Sequence, residues 1–267
     1  MKETRADDGC QIAWSTQGDG LPLLFIPGLG GLGAFWAEVI SRLTGFRSIT
    51  FDHRGCGASG SPADGYTIER MASDTVAVLD AAGVERAYII GHSTGGAIAQ
   101  VIATTYPERV SRLVLSGTWA RPDAHFQMMF ESRLEVLERA GAAAYQRLTH
   151  VLGLPPEWIN AHQAELDVAV ARADVTSGST PIAASRLRML LGWSGLADLR
   201  SIATPTLVVA ATDDILIPFH HSEDLARGIA RARLIAVTGG HFFPRTDPDG
   251  FVAAVEQFLR VGAPAWR

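Results

Sequence analysis

The chain has 267 residues, of which 47% are hydrophobic and 19% are charged, and its formal net charge is −5. This length is typical of one α/β domain that carries an insertion, and the acidic balance argues against a nucleic-acid partner. Residues 1–8 contain no apolar run that would form a signal peptide, and no apolar stretch is long enough to cross a membrane. We therefore expect a cytoplasmic monomer or homodimer that acts on a small molecule and contacts neither membrane nor nucleic acid.

A glycine-rich loop follows the first predicted buried strand, residues 23–26. Residues 28–33 match the pattern G-x-G-x-x-G, and Asp52 follows a second predicted strand, as a dinucleotide-binding fingerprint requires. However, Asp52 opens the run DHRGCGAS, whose glycines and arginine are typical of a structured turn rather than of a ribose contact. A loop in this position can instead supply a backbone N–H to an oxyanion.

The run GHSTG at residues 91–95 separates an apolar strand, residues 87–90, from a helical run, residues 97–103. A G-x-S-x-G turn between a strand and a helix is typical of a nucleophile elbow, in which a strained backbone lifts the serine hydroxyl above the sheet. The sequence therefore predicts Ser93 as a nucleophile and the backbone N–H of Thr94 as an oxyanion donor. Because a hydrolase also explains the glycine-rich loop, we prefer it to a dinucleotide enzyme and expect no cofactor.

Strands alternate with helices along most of the chain, which predicts an α/β fold with a mostly parallel open sheet flanked by helices. The pattern breaks between residues 121 and 193, where the chain is helix-forming throughout. Inserted between the strands at residues 112–115 and 206–211, this segment is expected to form a helical cap that supplies the substrate pocket. The helices expected there span residues 126–140, 142–152, 156–173 and 181–191. Large apolar side chains of the segment are the pocket candidates, namely Phe126, Met128, Met129, Trp158, Met189 and Trp193.

An activated serine needs a histidine base and a carboxylate that orients the histidine. In a fold of this type they follow the serine in the order acid, then histidine, each in a loop after a strand. The strand at residues 206–211 is followed by Asp213 and Asp214, and the strand at residues 234–237 is followed by His241. Only one of two adjacent side chains in a loop can reach the histidine. The pattern therefore predicts His241 as the base and leaves open which aspartate is the acid.

The remaining polar groups indicate no further chemistry. No H-x-x-x-H or clustered carboxylate spacing is present, so no metal is expected. Cys10 and Cys56 are expected to be free thiols. Arg54, Arg121 and Arg188 could bind a substrate carboxylate, although surface ion pairing is the commoner role of such residues.

Taken together, these motifs resemble the α/β-hydrolase fold superfamily over nearly the whole chain. The matching pieces are residues 27–30, 52–59, 91–96, 214–218, 240–241 and 247–248. The resemblance implies a core of residues 1–120 and 194–267 with a helical cap of residues 121–193. It also implies that Asp214, which precedes Pro218 by four residues, is the acid and that Leu29 supplies the second oxyanion N–H.

Within the superfamily, the chain resembles the 3-oxoadipate enol-lactonases of aromatic catabolism. Residues 117–119, 156–158 and 213–218 are also similar to the aminoacrylate hydrolases of pyrimidine degradation. The resemblance implies a serine hydrolase that cleaves a small ester, lactone or related acyl bond through an acyl-enzyme intermediate. Carbon–carbon hydrolases, cofactor-free oxygenases, lyases and small-molecule receptors share these motifs and are the alternatives.

Overall fold

The computed structural model describes residues 1–176 and 179–260. Residues 177–178 of the predicted cap and 261–267 of the predicted core lie outside the described residues. Within the described ranges, short and largely apolar runs form the strands of one sheet. The strands are β1 (Lys2–Arg5), β2 (Gln11–Gln17), β3 (Leu21–Ile26), β4 (Phe46–Phe51), β5 (Ala87–His92), β6 (Val110–Ser116), β7 (Thr206–Ala211) and β8 (Ala232–Val237).

The strands lie in the order β1-β2-β4-β3-β5-β6-β7-β8. All pairings from β4 to β8 are parallel, whereas β1 pairs with β2 and β2 pairs with β4 in the antiparallel sense. Strands β5 and β7 are buried along their whole length, which explains why their sequences do not alternate between apolar and polar residues. The structure thus confirms the predicted α/β fold with a mostly parallel sheet.

The structure also contains two N-terminal strands, β1 and β2, that the sequence analysis did not predict. β1 has the sequence KETR and is largely exposed, so no apolar run indicates a strand there. β2 continues the sheet by placing Trp14 opposite Phe51 of β4. β1 is the edge strand of the sheet, where exposure weakens the hydrophobic signal on which a sequence prediction depends, whereas Ile12, Ala13 and Trp14 of β2 are buried.

Helices cover both faces of the sheet, and β3 shows how the two cores are separated. Leu24 and Ile26 face one core, while Leu23 and Phe25 face the other. Among the described residues, no helix combines the length and the apolar character that a membrane span needs. The helices are α1 (Ala37–Arg42), α2 (Ile68–Ala81), α3 (Thr94–Thr105), α4 (Ala124–Gly153), α5 (Pro156–Ala161), α6 (Gln163–Ala171), α7 (Ala173–Thr176), α8 (Thr180–Gly192), α9 (His220–Gly228), α10 (Phe243–Thr246) and α11 (Pro248–Arg260).

The segment between β6 and β7 is helical, as expected, but its helices are divided differently. The backbone of α4 bends at Gly141, which has φ 82° and ψ 176°, so the predicted break at this residue is found. The single helix predicted over residues 156–173 is wrong, because the chain forms α5, α6 and α7 there. His162, between α5 and α6, has φ −120° and ψ 21°, and this non-helical backbone separates the two helices.

We expect Gly95→Ala to destabilise the protein and Gly192→Ala to leave its stability equal or higher. A Cβ at Gly95 would lie 2.3 Å from the backbone oxygen of Ile26 and 2.6 Å from that of Pro27. Overpacking of this kind costs about 1–3 kcal/mol of the free energy of unfolding. A Cβ at Gly192, in the last turn of α8, meets nothing within 4 Å. Urea unfolding midpoints measure both effects, and equal midpoints for the two variants would contradict the close approach at Gly95.

Candidate active site

The turn between β5 and α3 holds Ser93 in a strained conformation. Its φ is 54° and its ψ is −119°, and it is the one non-glycine residue with positive φ among those the structure describes. The backbone N–H of Ser93 donates to the carbonyl oxygen of Ser116 at 2.8 Å. A Cβ at Gly91 would lie 2.2 Å from the carbonyl oxygen of Gly95, so both flanking glycines are required by close backbone approach. The turn has the geometry that the G-x-S-x-G pattern predicts.

The loops after β7 and β8 bring an aspartate and a histidine together. Nδ1 of His241 lies 2.7 Å from Oδ2 of Asp214, and both side chains are almost completely buried. A carboxylate only accepts hydrogen bonds, so Nδ1–H donates and Nε2 is left for a group on the other side of the ring. Oδ1 of Asp214 accepts from the backbone N–H groups of Leu216 and Ile217, each at 2.9 Å. The carboxylate is therefore fixed by its own loop.

Asp213, the other aspartate of the pair, contacts backbone instead of the imidazole. Its carboxylate accepts from the N–H of Gly239 at 3.1 Å and from the N–H of Gly240 at 3.2 Å. These glycines directly precede His241, so Asp213 holds the loop and Asp214 holds the side chain. The structure places Asp214, and not Asp213, against the imidazole.

Ser93 and His241 line one cavity of about 260 Å³. No hydrogen bond joins their side chains in this structure, and catalytic contacts of this kind often tighten only when a substrate is bound. Most of the remaining lining comes from the segment after β3 and from α4 and α8, and His92, Leu216, Phe242 and Arg245 complete it. Helix and loop thus enclose a space of small-molecule size directly above the strained turn.

Two backbone N–H groups beside Ser93 have no acceptor among the described residues. Thr94 is the first residue of α3, where a helix leaves its N–H groups unpaired. Leu29 lies in the loop after β3, and its N–H is likewise without a hydrogen bond. β3 pairs in parallel with β5, with Ile26 opposite Gly91, so both loops begin at the same edge of the sheet.

His92 also faces this cavity, although the sequence alone gives it no role there. Its Nδ1 lies 3.0 Å from Oγ of Ser116, and its Nε2 is buried without a partner. Burial, and to a smaller extent the charge of His241, holds the pKa of His92 well below its usual range. The His92 ring stacks on Phe35 with centroids 5.1 Å apart, so it forms a neutral wall of the site.

All six pocket candidates named from the sequence lie outside this lining. Phe126 is fully buried between Trp119 and Phe130, with ring centroids 4.8 and 4.3 Å away, respectively. Trp193 lines a different cavity, between the segment at residues 63–69 and α8. The other candidates are likewise placed elsewhere: Met129 packs on the core, Trp158 stacks on His162, Met128 is exposed and Met189 lines the second cavity.

The side chains that α4 and α8 do contribute are mostly polar. From α4 come Phe130 and Arg133 before the bend and Tyr145, Thr149 and His150 after it. Helix α8 contributes Arg186. A search for large apolar residues misses these positions. A search for polar residues that recur at helical spacing within the apolar face of a predicted helix would have found them.

The arginines proposed from the sequence to bind a carboxylate have other partners. Arg54 is completely buried and forms two hydrogen bonds of 2.6 Å with Asp74. Arg188 pairs with Glu138, and Arg121 donates to backbone oxygens. None of these three arginines lines the cavity above Ser93.

Both carboxylate oxygens of Asp52, the acidic residue of the apparent dinucleotide fingerprint, accept hydrogen bonds from the backbone of this chain. Its Oδ1 accepts from the N–H of Gly33 at 2.9 Å, and its Oδ2 accepts from the N–H of Ala58 at 3.1 Å. Both oxygens are therefore used to hold the glycine-rich loop against the turn at residues 52–59. This arrangement favours a structural role for Asp52.

One group of side chains has the composition of a metal site. Ligand atoms of Asp123, His220 and His221 lie within 4.8 Å of one another. Asp123 also caps α4 by accepting from the N–H of Phe126 at 2.8 Å, and it contacts Nε2 of His220 at 2.9 Å. These contacts occupy Asp123 and His220, while Nε2 of His221 is buried without a hydrogen-bond partner, 3.6 Å from Oδ2 of Asp123. The cluster lies outside the lining of the cavity above Ser93.

Comparisons with known proteins agree with this architecture. The model of the alpha/beta hydrolase fold family matches residues 22–248. A putative carbamate hydrolase RutD from Caulobacter sp. (strain K31) is 38% identical over 235 residues, which cover 87% of this chain and 88% of the relative. The corresponding protein of Variovorax paradoxus (strain S110) is 36% identical, covering 92% of this chain and 94% of the relative.

Solved structures give the same result. A hydrolase from Pseudomonas aeruginosa PA01 has a TM-score of 0.86 at 28% identity, with 98% of each chain covered. The enol-lactonase from Burkholderia xenovorans LB400 has a TM-score of 0.88 at 22% identity, with 97% of this chain and 99% of that chain covered, and this likeness shows the fold. By fold, site geometry and sequence similarity, the chain belongs to the α/β-hydrolase fold family and is a hydrolase.

Proposed function

We propose that this protein is a serine hydrolase that cleaves a small ester, lactone or related acyl bond through a covalent acyl-enzyme. The observation that carries the proposal is the 2.7 Å contact of His241 with Asp214, made beside the strained Ser93 on one cavity. A serine hydroxyl is a weak nucleophile until a base removes its proton. The geometry supplies that base with its orienting carboxylate.

The proposed reaction has two steps. In the first, Nε2 of His241 takes the proton of Ser93 as Oγ attacks the carbonyl carbon, and Asp214 stabilises the imidazolium. The carbonyl oxygen becomes an oxyanion that the N–H groups of Leu29 and Thr94 stabilise; losing one such donor costs about 2.7–4 kcal/mol of the activation free energy. The leaving group takes the proton from His241 as its bond to the acyl carbon breaks.

In the second step, water attacks the acyl carbon while His241 removes the water proton. The Ser93–acyl bond then breaks, the carboxylic acid leaves, and the proton returns to Ser93. Residues 121–193 act in this proposal as a cap, since α4 and α8 form the walls that exclude bulk water from the reacting atoms.

The relatives extend the list of bonds to test. The Caulobacter and Variovorax relatives are described as putative carbamate hydrolases. A carbamate also has a carbonyl carbon that a serine hydroxyl can attack, so carbamates belong in the assays beside esters and lactones. Oxygen consumption, or cleavage without uptake of water, would contradict hydrolysis and favour oxygenase or lyase chemistry.

Ser93→Ala should lower kcat by about 10⁴-fold or more, because no other group can form the acyl-enzyme. Alanine at φ 54° is no more strained than serine, and the Ser93 side chain caps no helix, so the fold should be kept. Hydrolysis of p-nitrophenyl acetate and circular dichroism measure activity and fold. Wild-type turnover by the folded variant would contradict the proposed nucleophile.

The acyl-enzyme is tested separately by trapping. A fluorophosphonate should add once to wild-type protein in intact-mass spectra, with the adduct mapped to Ser93 by peptide analysis. The Ser93→Ala protein is the matched control and should remain unlabelled. Labelling at another serine would place the nucleophile elsewhere.

Asp214→Asn should lower kcat by about 10³–10⁴-fold, because the amide would donate to Nδ1 and favour the wrong imidazole tautomer. The asparagine carbonyl can still accept from Leu216 and Ile217, so the loop should persist. Asp213→Asn is the matched control, and it should change kcat by less than about tenfold because its backbone partners also need only an acceptor. Comparable losses in both variants, or a larger loss at Asp213, would overturn the assignment.

A further inference from the structure

The cavity above Ser93 has a strong bias in charge. Among the described residues, its lining includes Arg133, Arg186 and Arg245 and contains no aspartate or glutamate. The chain as a whole has a net charge of −5, so the cavity is opposite in sign to the protein around it. A cavity lined by one sign of charge attracts ligands of the other sign.

The three arginines differ in whether their charge is compensated. Arg245 is partly exposed and pairs with Glu165 at 2.5 Å. Arg133 and Arg186 are only 3% and 2% exposed, respectively, and neither forms an ion pair with any described residue. Burial lowers the pKa of His92 and His150, so these two lining histidines add no positive charge to the cavity at neutral pH.

Hydrogen bonds hold the guanidinium of Arg133 in place and leave some of its N–H groups without an acceptor. Its Nη2 donates to the hydroxyl of Tyr145 at 2.8 Å and to Oγ1 of Thr149 at 3.0 Å. Its Nε is buried without a partner, and no described hydrogen bond uses Nη1. The guanidinium lies over the rings of Phe130 and Tyr145, 5.2 and 4.9 Å from their centroids, which fixes its plane.

Arg186 reaches from α8 to the loop after β3. Its Nη1 donates to Sγ of Cys56 and its Nη2 donates to the carbonyl oxygen of Leu29, while Nε is buried without a partner. Burial raises the pKa of the Cys56 thiol, so the thiol stays neutral and does not offset the charge. Arg186 therefore positions the loop that carries the Leu29 N–H and leaves a positive charge in the cavity.

Burying a charge without a counter-charge lowers the free energy of unfolding. Among the described residues, the third buried arginine, Arg54, has two counter-charges. Arg54 is completely buried and contacts both Asp74, at 2.6 Å, and Asp8, at 2.8 Å. Desolvating a charge without a counter-charge costs several kcal/mol. Two such arginines on one ligand cavity fit a site in which the ligand itself supplies the negative charge.

We propose that Arg133 and Arg186 bind a carboxylate of the substrate, which makes the substrate an acyl compound that carries a free carboxylate besides the bond that is cleaved. This inference rests on the proposed hydrolase function. Arg133 makes the direct contact, because its Nη1 is unused, and Arg186 adds charge and positions Leu29. The two N–H groups of Nη1 are the donors available to the carboxylate, because Nη2 already donates to Tyr145 and Thr149, and hydrogen bonds between a guanidinium and a carboxylate are strengthened by their opposite charges.

Matched ester pairs test the preference. Monomethyl malonate, succinate, glutarate and adipate carry a terminal carboxylate, and the methyl esters of the corresponding alkanoic acids carry a methyl group in its place. The wild-type kcat/KM should favour the carboxylate by at least about tenfold in one or more pairs, as expected for a charged hydrogen bond. A wild-type enzyme that hydrolyses every neutral ester as well as its charged match would overturn the inference and leave the proposed function intact.

Arg133→Met should remove this preference. The expected loss in kcat/KM is about 10- to 100-fold for the preferred carboxylate ester and less than about threefold for its neutral match. Arg133→Lys, which keeps the charge, should retain part of the preference and guards against a folding defect. Arg139→Met is the control on the same helix, since Arg139 is 79% exposed and pairs with Glu135.

Binding to Ser93→Ala protein separates the two proposals. Calorimetry should show the preferred monomethyl ester binding to Ser93→Ala and binding at least about tenfold more weakly to Ser93→Ala/Arg133→Met. If no monoester of the series binds Ser93→Ala more tightly than its neutral match, the anion site is wrong, whatever the activity. If the monoester binds as expected but Ser93→Ala still turns it over, the serine mechanism is wrong and the anion site stands.

Discussion

The close backbone contact between the β5–α3 turn and the end of β3 is the constraint on which the site depends. A side chain at Gly95 would strike the carbonyl oxygens of Ile26 and Pro27 at 2.3 and 2.6 Å. Without a side chain there, the turn lies directly beside the loop that follows β3. This proximity brings the N–H groups of Thr94 and Leu29 to one side of the strained serine, so the candidate oxyanion site is a product of packing.

Backbone contacts also hold Asp214 and His241, the proposed acid and base, in place. The two adjacent aspartates have different partners. Asp213 accepts from the backbone N–H groups that precede His241, and Asp214 accepts from the imidazole of His241. Both carboxylates are also tied to backbone N–H groups, so the position of the imidazole is set from two directions. In the proposed reaction, a preorganised imidazole does not need to be reoriented, and such preorganisation lowers the activation free energy.

The helical segment between β6 and β7 contributes polar side chains to the cavity as well as enclosing it. The bend of α4 at Gly141 allows one helix to present Arg133 before it and Tyr145 after it to the same cavity. Tyr145 then binds the guanidinium of Arg133 at 2.8 Å. Arg186 of α8 donates to the carbonyl oxygen of Leu29, so the helical segment is linked to the loop that supplies a candidate oxyanion donor.

The sequence by itself determined the parallel sheet, the strained turn at Ser93 and the position of Asp213, Asp214 and His241 in loops that follow strands, because these depend on local apolar runs and glycine spacing. It predicted Asp214 rather than Asp213 only through a family resemblance. The side chains of neighbouring loop residues point in different directions, and the tertiary structure decides which of them faces the imidazole. It missed the exposed strand β1 and placed Phe126 and Trp193 in the pocket, because an apolar side chain on a helix packs equally well on a core. Only the tertiary structure decided that Arg133 and Arg186 line the cavity. Whether a buried guanidinium has an ion-pair partner depends on contacts between segments that are distant in the sequence.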